Sequence, residues 1–256
     1  MARSVAARKR AGSNHFHNLI NSMLWANSNF EKIKATPQAS AVCPGCGKTV
    51  TPKCGDIISW HWAHKTKDCD SWSEPESQWH LEWKDQFPKD WQEVVIGPHR
   101  ADVKTPYGVI EFQKSTISVK EIKIREEFYG KMSWVLDASD WAIMDCDSNE
   151  LALPENTARW RWPRKCWAQS SRPIYLDRGE NCILYVTAIY ERSGYKCKET
   201  IIEYVVLTKR QFIERMTGMM QSKNLLMPHF HPSYGYLKNR RDLLPPWPAF
   251  NRHNPQ

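Results

Sequence analysis

The chain has 256 residues, enough to bury a full hydrophobic core, and carries 36 Lys or Arg against 28 Asp or Glu for a net charge of +8. The excess charge lies at the two ends: the first ten residues hold four basic residues and no acid, and residues 209–256 hold eight against two acids. Such ends are typical of phosphate binding, and equally of a solvated tail that keeps a protein soluble.

No run of about 18 apolar residues occurs, which excludes a membrane-spanning helix. The segment after the basic N-terminus lacks the uninterrupted apolar core of a signal peptide, so we expect a cytoplasmic protein. In that compartment the eight cysteines are expected to be metal ligands or buried thiols rather than disulfides.

Residues 15–34 show apolar residues at a spacing of three and four, which predicts a helix that docks on the core or pairs with a partner. The positions are Phe16, Leu19, Ile20, Met23 and Leu24, and Pro37 ends the segment.

Two metal-ligand pairs follow. Cys43 and Cys46 are separated by two residues, as are His61 and His64. Four such ligands can close a tetrahedral zinc site with no open position, so the predicted zinc is structural. Cys54 and Cys69 compete for the same ion but rank below the histidines because they are not paired. The alternative is that the cysteines are merely buried and the histidines pack against neighbouring tryptophans.

The run from Glu74 to Lys84 predicts a helix whose entry is set by Pro75. Glu76, His80 and Lys84 are four residues apart and would share one face. The run offers two acids, Glu76 and Glu82, and His80 as a group that orients a phosphate or a metal-bound water; the family resemblance described below favours Glu76, with Glu82 behind it. A surface helix with a Glu76–Lys84 ion pair explains the same pattern.

A predicted strand at Gln92–Ile96, whose Glu93 faces either a cavity or solvent, leads into the central hairpin. Its strands are Arg100–Lys104 and Val109–Ser115, joined by a turn with Pro106 and Gly108. Alternation places Glu111 and Gln113 on one face, and pairing of the strands brings Asp102 alongside Glu111. Two carboxylates that face one site repel unless a cation lies between them, which predicts a divalent metal site.

A helix capped by Ser118, with Glu121 at the capping-box spacing, is predicted to end at Gly130. Arg125 and Tyr129 lie four residues apart on its surface, where the arginine either binds phosphate or bridges to a neighbouring glutamate. Strands are predicted after it at Met132–Leu136, Trp141–Met144, Ile174–Leu176, Ile183–Tyr190 and Thr200–Leu207, with a helix at Lys209–Met219.

The stretch Arg159–Arg172 interleaves cations with aromatic rings. Its cations include Arg159, Arg161 and Arg164, and its rings are Trp160, Trp162 and Trp167. This composition is typical of a groove for single-stranded nucleic acid, where rings stack on bases and arginines hold phosphates. Because tryptophan is frequent along the whole chain, an ordinary hydrophobic anchor is the alternative.

Together these motifs resemble the CoiA-like competence nuclease family of the PD-(D/E)XK superfamily, strongly from Cys43 to Asp137 and more weakly to about Met216. The motifs are Cys43-x2-Cys46, HWAH at 61–64, ES at 76–77, His80, Lys84, RADV at 100–103, EFQKS at 111–115, the Arg125–Tyr129 pair and SWVLD at 133–137.

The resemblance implies an α/β fold: a mixed-sheet, restriction-endonuclease-like PD-(D/E)XK core, a small zinc-ribbon-like N-terminal module and a C-terminal α/β extension. The expected organisation is a basic arm and helix at 1–40, a zinc knuckle at 41–72, the nuclease core at 73–150, the extension at 151–220 and a basic tail rich in Pro, His and Arg at 221–256.

The implied function is a metal-dependent deoxyribonuclease. Asp102, Glu111 and the backbone carbonyl of Phe112 would hold Mg2+ or Mn2+. The expected catalytic residues are Asp102, Glu111, Gln113, Glu76, His80 and Lys84, and the expected DNA contacts are Arg100, Arg125, Tyr129, Arg159, Arg161 and Arg164.

Most of the superfamily has a lysine at the position of Gln113, whereas the CoiA-like pattern itself has a glutamine there. Lys84 or Arg125 would therefore have to supply the positive charge. The alternatives are a non-catalytic DNA-binding or recombination-assisting protein on the same scaffold, and an interaction protein that recruits a partner through its knuckle. The sequence leaves open single- or double-stranded DNA, a homodimer, and a partner in recombination or defence.

Overall fold

A computed structural model describes residues 22–56, 59–65, 69–72, 76–145, 156–193 and 198–219. The chain divides into two compact units, residues 1–82 with 95–100 and residues 83–94 with 101–256. Within the described segments, each helix falls short of the length and apolar character that a bilayer crossing demands.

The first unit contains a six-stranded sheet in which the paired strands are antiparallel. The strands are β1 (Ser22–Met23), β2 (Trp25–Ser28), β3 (Glu31–Lys34), β4 (Ala41–Val42), β5 (Thr49–Lys53) and β6 (His61–Ala63), in the order β1-β6-β5-β4-β2-β3. Its core is formed by Met23, Ala26, Ala35, Ala41, Cys43, Val50 and Trp62.

The predicted helix over 15–34 is wrong from residue 22 onward, where the structure has β1, β2 and β3; residues 1–21 lie outside the described part. Asn29 and Phe30 both have positive φ angles, of 49° and 66°, between Ser28 and Glu31, which pair across β2 and β3. A two-residue turn with two positive φ angles matches the twist of a hairpin. The helical spacing came mostly from Phe16 to Leu24, ahead of this turn, so it carried no information about the turn.

The second unit is built on a nine-stranded mixed sheet, in the order β11-β12-β15-β14-β13-β10-β9-β8-β7. The strands are β7 (Gln92–Ile96), β8 (His99–Thr105), β9 (Gly108–Gln113), β10 (Met132–Asp137), β11 (Ile143–Asp145), β12 (Thr157–Trp160), β13 (Ile174–Asp177), β14 (Cys182–Ser193) and β15 (Lys198–Thr208). The helices are α1 (Gln78–Lys84), α2 (Val119–Tyr129) and α3 (Lys209–Thr217), with 3-10 turns at Lys89–Trp91 and Lys165–Gln169. The boundary between the units falls within α1, β7 and β8.

β9, α2 and β10 form a crossover unit. β10 runs parallel to β9 because α2 carries the chain from the end of β9 back to the start of β10. On its other side β10 runs parallel to β13. The predicted caps of α2 are confirmed: the Ser118 side chain accepts the N–H of Glu121, and Gly130 at the other end has a φ of 63°. Three parallel strands therefore end at one edge of the sheet.

The predicted strands and helices from Gln92 to Met219 agree with the structure to within a few residues. The predicted core and extension both contribute strands to the one nine-stranded sheet, so the fold is mixed α/β with two sheets. Its interior holds the largest buried side chains of this unit, among them Trp83, Trp134, Trp167, Tyr175 and Phe212. The predictions for the tail after residue 219 lie outside the described residues.

Candidate metal centre and carboxylate cluster

Three cysteines and one histidine of the first unit lie together, with all ligand atoms within 4.8 Å of one another: Cys43, Cys46, His64 and Cys69. The Sγ atoms of Cys43 and Cys69 are 3.7 Å apart. The loop after β4 folds back tightly, because Gly47, at a φ of 71°, donates its N–H to the Cys43 carbonyl at 2.9 Å. The Gly45 N–H donates to the Cys43 sulfur at 3.3 Å. The sequence CPGC thus folds into a knuckle that presents two sulfurs to one point.

The thiols of this group do not ionise independently. Burial and the neighbouring Cys43 and Cys46 raise the pKa of Cys69 to about 12. At Cys46 burial acts in the same direction, but hydrogen bonds from Lys48, Cys69 and Cys43 outweigh it and lower the pKa. Sulfurs this close cannot all be thiolates without a cation between them. A Cys3His donor set at this spacing fits a closed, tetrahedral zinc site, so the group can hold zinc.

The structure corrects the predicted Cys2His2 set, since Cys69 takes the place of His61. His61 lies in β6, and its Nδ1 contacts the Ser59 carbonyl at 2.8 Å. His61 is fixed within β6, whereas β6 ends at Ala63 and His64 follows it, in the Cys3His group. Cys54 packs instead against the apolar core of the unit.

A small set of contacts surrounds the centre. Asp70, next to Cys69, accepts hydrogen bonds from the backbone of Trp72 and Arg100 and contacts His99 Nδ1 at 2.9 Å, while the Trp72 and His99 rings stack. A cavity of about 150 Å³ lies beside the cysteines. The guanidinium of Arg100, a predicted DNA contact, donates to the Ser22 carbonyl at 2.6 Å.

The predicted helical face of Glu76, His80 and Lys84 is only partly present. α1 begins at Gln78, so Glu76 precedes the helix. The His80 backbone N–H donates to the Ser77 hydroxyl at 3.4 Å, and that hydroxyl lies 2.7 Å from His80 Nδ1. Glu76 and His80 belong to the first unit, whereas Lys84 belongs to the second.

In the second unit, the hairpin brings Asp102 and Glu111 together as the alternation predicted. Regular pairing of β8 and β9 runs from Thr105 and Gly108 to Val103 and Ile110. Beyond it the carboxylates replace ladder bonds: the Asp102 N–H donates to Glu111 Oε1 at 3.2 Å, and the Phe112 N–H donates to Asp102 Oδ2 at 2.9 Å. Each acid is therefore held by the backbone of the opposite strand.

Two buried cations flank the pair. Lys84 places its ammonium 3.0 Å from Asp102 Oδ1 and 3.0 Å from Glu93 Oε1. Arg125 contacts Glu111 Oε2 at 3.4 Å and Glu121 Oε1 at 2.5 Å. The predicted phosphate ligand Arg125 is thus 3% exposed and bonded to the acids. We call Glu93, Asp102, Glu111, Lys84 and Arg125 the carboxylate cluster.

Glu93 is the member that sequence patterns did not single out, beyond a strand residue that faces either a cavity or solvent. It is 1% exposed and has a φ of 47° within β7. A left-handed conformation is rare for a non-glycine residue in a strand and is often found at functional sites. The pattern of side chains in the sequence does not reveal such a backbone angle. Glu93 is identified as a member of the cluster by its buried contact with Lys84.

The cluster has more negative than positive groups. Its three carboxylates face two cations, and Glu121 adds a fourth carboxylate at the rim. Burial, with the nearby charge of Asp102, raises the pKa of Glu111 to about 8 despite Arg125 and Lys84. Near neutral pH Glu111 therefore holds a proton instead of a negative charge, and carboxylate oxygens are the ligands that hard divalent cations prefer. Asp102 and Glu111 bring oxygen donors of this kind together.

Two polar residues, Gln113 and Lys114, lie at the end of β9 close to Glu111 in sequence. Gln113 is buried, and its amide nitrogen donates to the Ser115 carbonyl and hydroxyl, both at 3.2 Å. Lys114 is half exposed and forms an ion pair with Asp137. As the alternation predicted, Lys114 leaves the face of Glu111. Tyr129, at the end of α2, packs edge-on against Phe128.

The aromatic–basic stretch divides into buried and exposed parts. Trp160 and Trp167 are core residues, 3% and 1% exposed, whereas Trp162 is 69% exposed. Arg159 is paired with Glu199 at 3.1 Å. Arg161 stacks on Trp162, and Arg164 on Trp141. The alternative of a hydrophobic anchor is therefore right for two of the three tryptophans.

Comparison with protein families gives a match over residues 24–71, to the family described as Competence protein CoiA, N-terminal domain. This stretch is similar to the CoiA N-terminal domain. It contains all four residues of the Cys3His group. The resemblance to the CoiA-like family is confirmed there, and it begins at Leu24, ahead of Cys43. The searches of curated proteins and of solved structures gave no significant match.

Proposed function

We propose that the chain is a divalent-metal-dependent deoxyribonuclease whose second unit is a PD-(D/E)XK-type core. The observation that carries this proposal is the Asp102–Glu111 pair, which lies on a hairpin, is in contact with the buried Lys84 and crowds two carboxyl groups so closely that the pKa of Glu111 rises to about 8. The order of elements supports it: an α-helix, three strands, a crossover helix and a parallel strand, from α1 to β10. The family match of the first unit adds a link to competence.

Asp102 and Glu111, with the backbone carbonyl of Phe112, would hold Mg2+ or Mn2+. When bound, such an ion supplies Lewis acidity and positive charge beside the scissile phosphate. Asp102 is the most exposed of the three buried acids, with 21% of its side chain accessible, so substrate would approach the cluster from its side.

Lys84 takes the role of the lysine that Gln113 replaces. Its ammonium lies 3.0 Å from a carboxylate oxygen of Glu93 and 3.0 Å from one of Asp102, and these two contacts fix its position. A fixed cation next to the metal ligands can stabilise charge on a phosphate in the transition state. Gln113 keeps an amide at the same face and orients it through Ser115.

A non-catalytic DNA-binding protein is the second candidate. The observation that favours it is that both acids already have cationic partners, Lys84 at Asp102 and Arg125 at Glu111. In such a protein these ion pairs would only stabilise the fold.

Cleavage of linear, circular and single-stranded DNA in Mg2+ or Mn2+ tests the two candidates. The nuclease predicts that wild type cleaves, that Asp102→Asn, Glu111→Gln and Lys84→Met do not, and that all four bind DNA equally. Glu121→Gln is the matched control, since Glu121 contacts the same Arg125 from the rim, and it should cleave within a few-fold of wild type. Binding without cleavage by zinc-loaded wild type, under every metal and substrate, would leave the DNA-binding candidate.

A further inference from the structure

The most exposed tryptophan of the chain's described part, Trp162, lies in a surface that neither metal site uses. We define the Trp162 strip as Arg161, Trp162, Arg164 and Lys114. Arg161 is exposed and stacks on the Trp162 ring at 4.7 Å, and Arg164 stacks on Trp141 at 4.6 Å. The strip therefore offers an indole face and cations side by side.

The cations of the strip differ from their neighbours. Among the described residues, neither Arg161 nor Arg164 forms an ion pair, whereas Arg159 is paired with Glu199 and Lys165 with Glu191. Among the described residues the Arg164 guanidinium donates to the Lys114 carbonyl at 3.1 Å, and a guanidinium carries five N–H donors. The remaining donors suit a phosphate, which arginine binds through its planar fork.

The strip is rigid before any ligand arrives. The Arg161 N–H donates to the Ala142 carbonyl at 3.0 Å, which fixes the chain just after β12. Pro163 restricts the backbone between Trp162 and Arg164, and Trp141 stacks on the buried Trp160 below. A surface that is already ordered loses little entropy when it binds.

The strip is anchored at the edge where the parallel strands end. Arg164 contacts Lys114, which directly follows β9, and Lys114 pairs with Asp137 at the end of β10. Lys114 is three residues beyond Glu111, about 10 Å along an extended chain. Ligands of open α/β sheets bind outside the carboxyl ends of parallel strands. A strand of nucleic acid on the strip would thus lead to the carboxylate cluster.

We infer that the Trp162 strip binds single-stranded DNA, with an unpaired base stacked on Trp162 and phosphates on Arg161 and Arg164. An indole face can stack only on a base that is free of its own duplex neighbours, so the strip selects single strands. The choice of DNA rests on the proposed function; the choice of a single strand rests on the exposed ring and the unpaired arginines. Arg159 and Lys165, though basic and adjacent, take no part.

The test is fluorescence anisotropy with a labelled oligothymidylate of about 20 nucleotides and with a duplex of equal length. The protein is the full chain carrying Asp102→Asn, with its zinc and without added Mg2+, so that binding is measured without cleavage. Trp162→Ala should weaken binding of the single strand about tenfold and that of the duplex far less. Trp162→Phe, which keeps a ring, should restore most of the affinity.

Arg164→Ala should weaken single-strand binding several-fold and reduce its salt dependence by about 0.7 in the logarithmic slope, the loss of one phosphate contact. Lys165→Ala removes the same charge one residue away and should change neither. Equal effects of Arg164→Ala and Lys165→Ala, or of Trp162→Ala on duplex and single strand, would overturn the inference, as would no binding by any variant. Strip-dependent binding in a wild type that never cleaves would refute the nuclease alone.

Discussion

The Cys3His group and the carboxylate cluster differ in what lies beside their crowded ionisable side chains. In the Cys3His group the sulfurs crowd one another, and burial with the neighbouring thiols raises the pKa of Cys69 to about 12. In the carboxylate cluster Lys84 and Arg125 are built in, yet the pKa of Glu111 still rises to about 8. A zinc ion would balance the crowded sulfurs of the first group, whereas two cations of the chain itself lie against the acids of the second.

The largest expected effect is loss of the metal at the Cys3His group. Cys69→Ser should abolish the one zinc per chain and destabilise the first unit strongly, because zinc contributes about 10–16 kcal/mol to the folding of structural sites. His61→Ala is the matched control and should retain a full equivalent of zinc. Metal content by mass spectrometry, together with thermal unfolding, measures both. Zinc retained in Cys69→Ser and lost in His61→Ala would restore the Cys2His2 set.

Removal of the built-in cation at the second group comes next. Lys84→Met leaves Glu93 and Asp102 without their shared ammonium and should cost about 3–5 kcal/mol in the free energy of unfolding. Lys165→Met breaks an exposed pair with Glu191, which solvent screens, and should cost far less than Lys84→Met. Urea unfolding of both variants gives the comparison, and equal costs would mean that Lys84 is not a structural counter-charge. The double variant Lys84→Met with Glu93→Gln should recover part of the loss.

Added Mn2+ should stabilise the second group in the zinc-loaded chain. At a hundredfold excess over its dissociation constant a ligand contributes about 2.7 kcal/mol, which raises the midpoint of a chain of this size by about 5–10 °C. Asp102→Asn and Glu111→Gln should show no such rise, whereas Glu121→Gln should. Differential scanning fluorimetry at a pH above 8 is the measurement, since Glu111 is then ionised. An equal rise in all four proteins would place the ion elsewhere.

The smallest effect is a pH dependence of stability. Glu111 has a folded-state pKa of about 8 against an ordinary 4.5, so between these values the folded chain holds a proton that the unfolded chain has released. The free energy of unfolding should therefore fall as pH rises through this window in wild type, whereas Glu111→Gln should not show this fall. Parallel unfolding curves of wild type and variant from about pH 5 to 8 would show that Glu111 is ionised throughout.

Sequence patterns predicted the carboxylate pair but not all of its surroundings. Asp102 and Glu111 were predictable because strand alternation and a short turn leave few ways to pair them. Glu93 was not, since its contribution depends on a left-handed backbone angle that its neighbours do not encode. Lys84 was predictable as a residue but not as a buried one, because burial of an ammonium depends on two acids distant in sequence.

Sequence patterns predicted three of the four members of the Cys3His group and missed the fourth. Its knuckle, Cys43 and Cys46, follows from a local turn and was predicted, whereas its other half depends on strand geometry. The spacing of His61 and His64 would place both on one face of a helix. In the structure His61 lies in β6, His64 follows the strand, and Cys69 is the fourth member of the group. Likewise, the three tryptophans of Arg159–Arg172 look alike in sequence, and only the packing of β12 and the following 3-10 turn separates Trp162 from the two core residues.

The most direct test of the account is cleavage of DNA by wild type and Asp102→Asn, each with its zinc content measured, before and after Mg2+ or Mn2+ is added. The account predicts one zinc per chain in both proteins, no cleavage in zinc alone, cleavage by wild type once Mg2+ or Mn2+ is present, and none by the variant. Equal cleavage by both proteins, or DNA binding by zinc-loaded wild type with no cleavage in either ion, would contradict it.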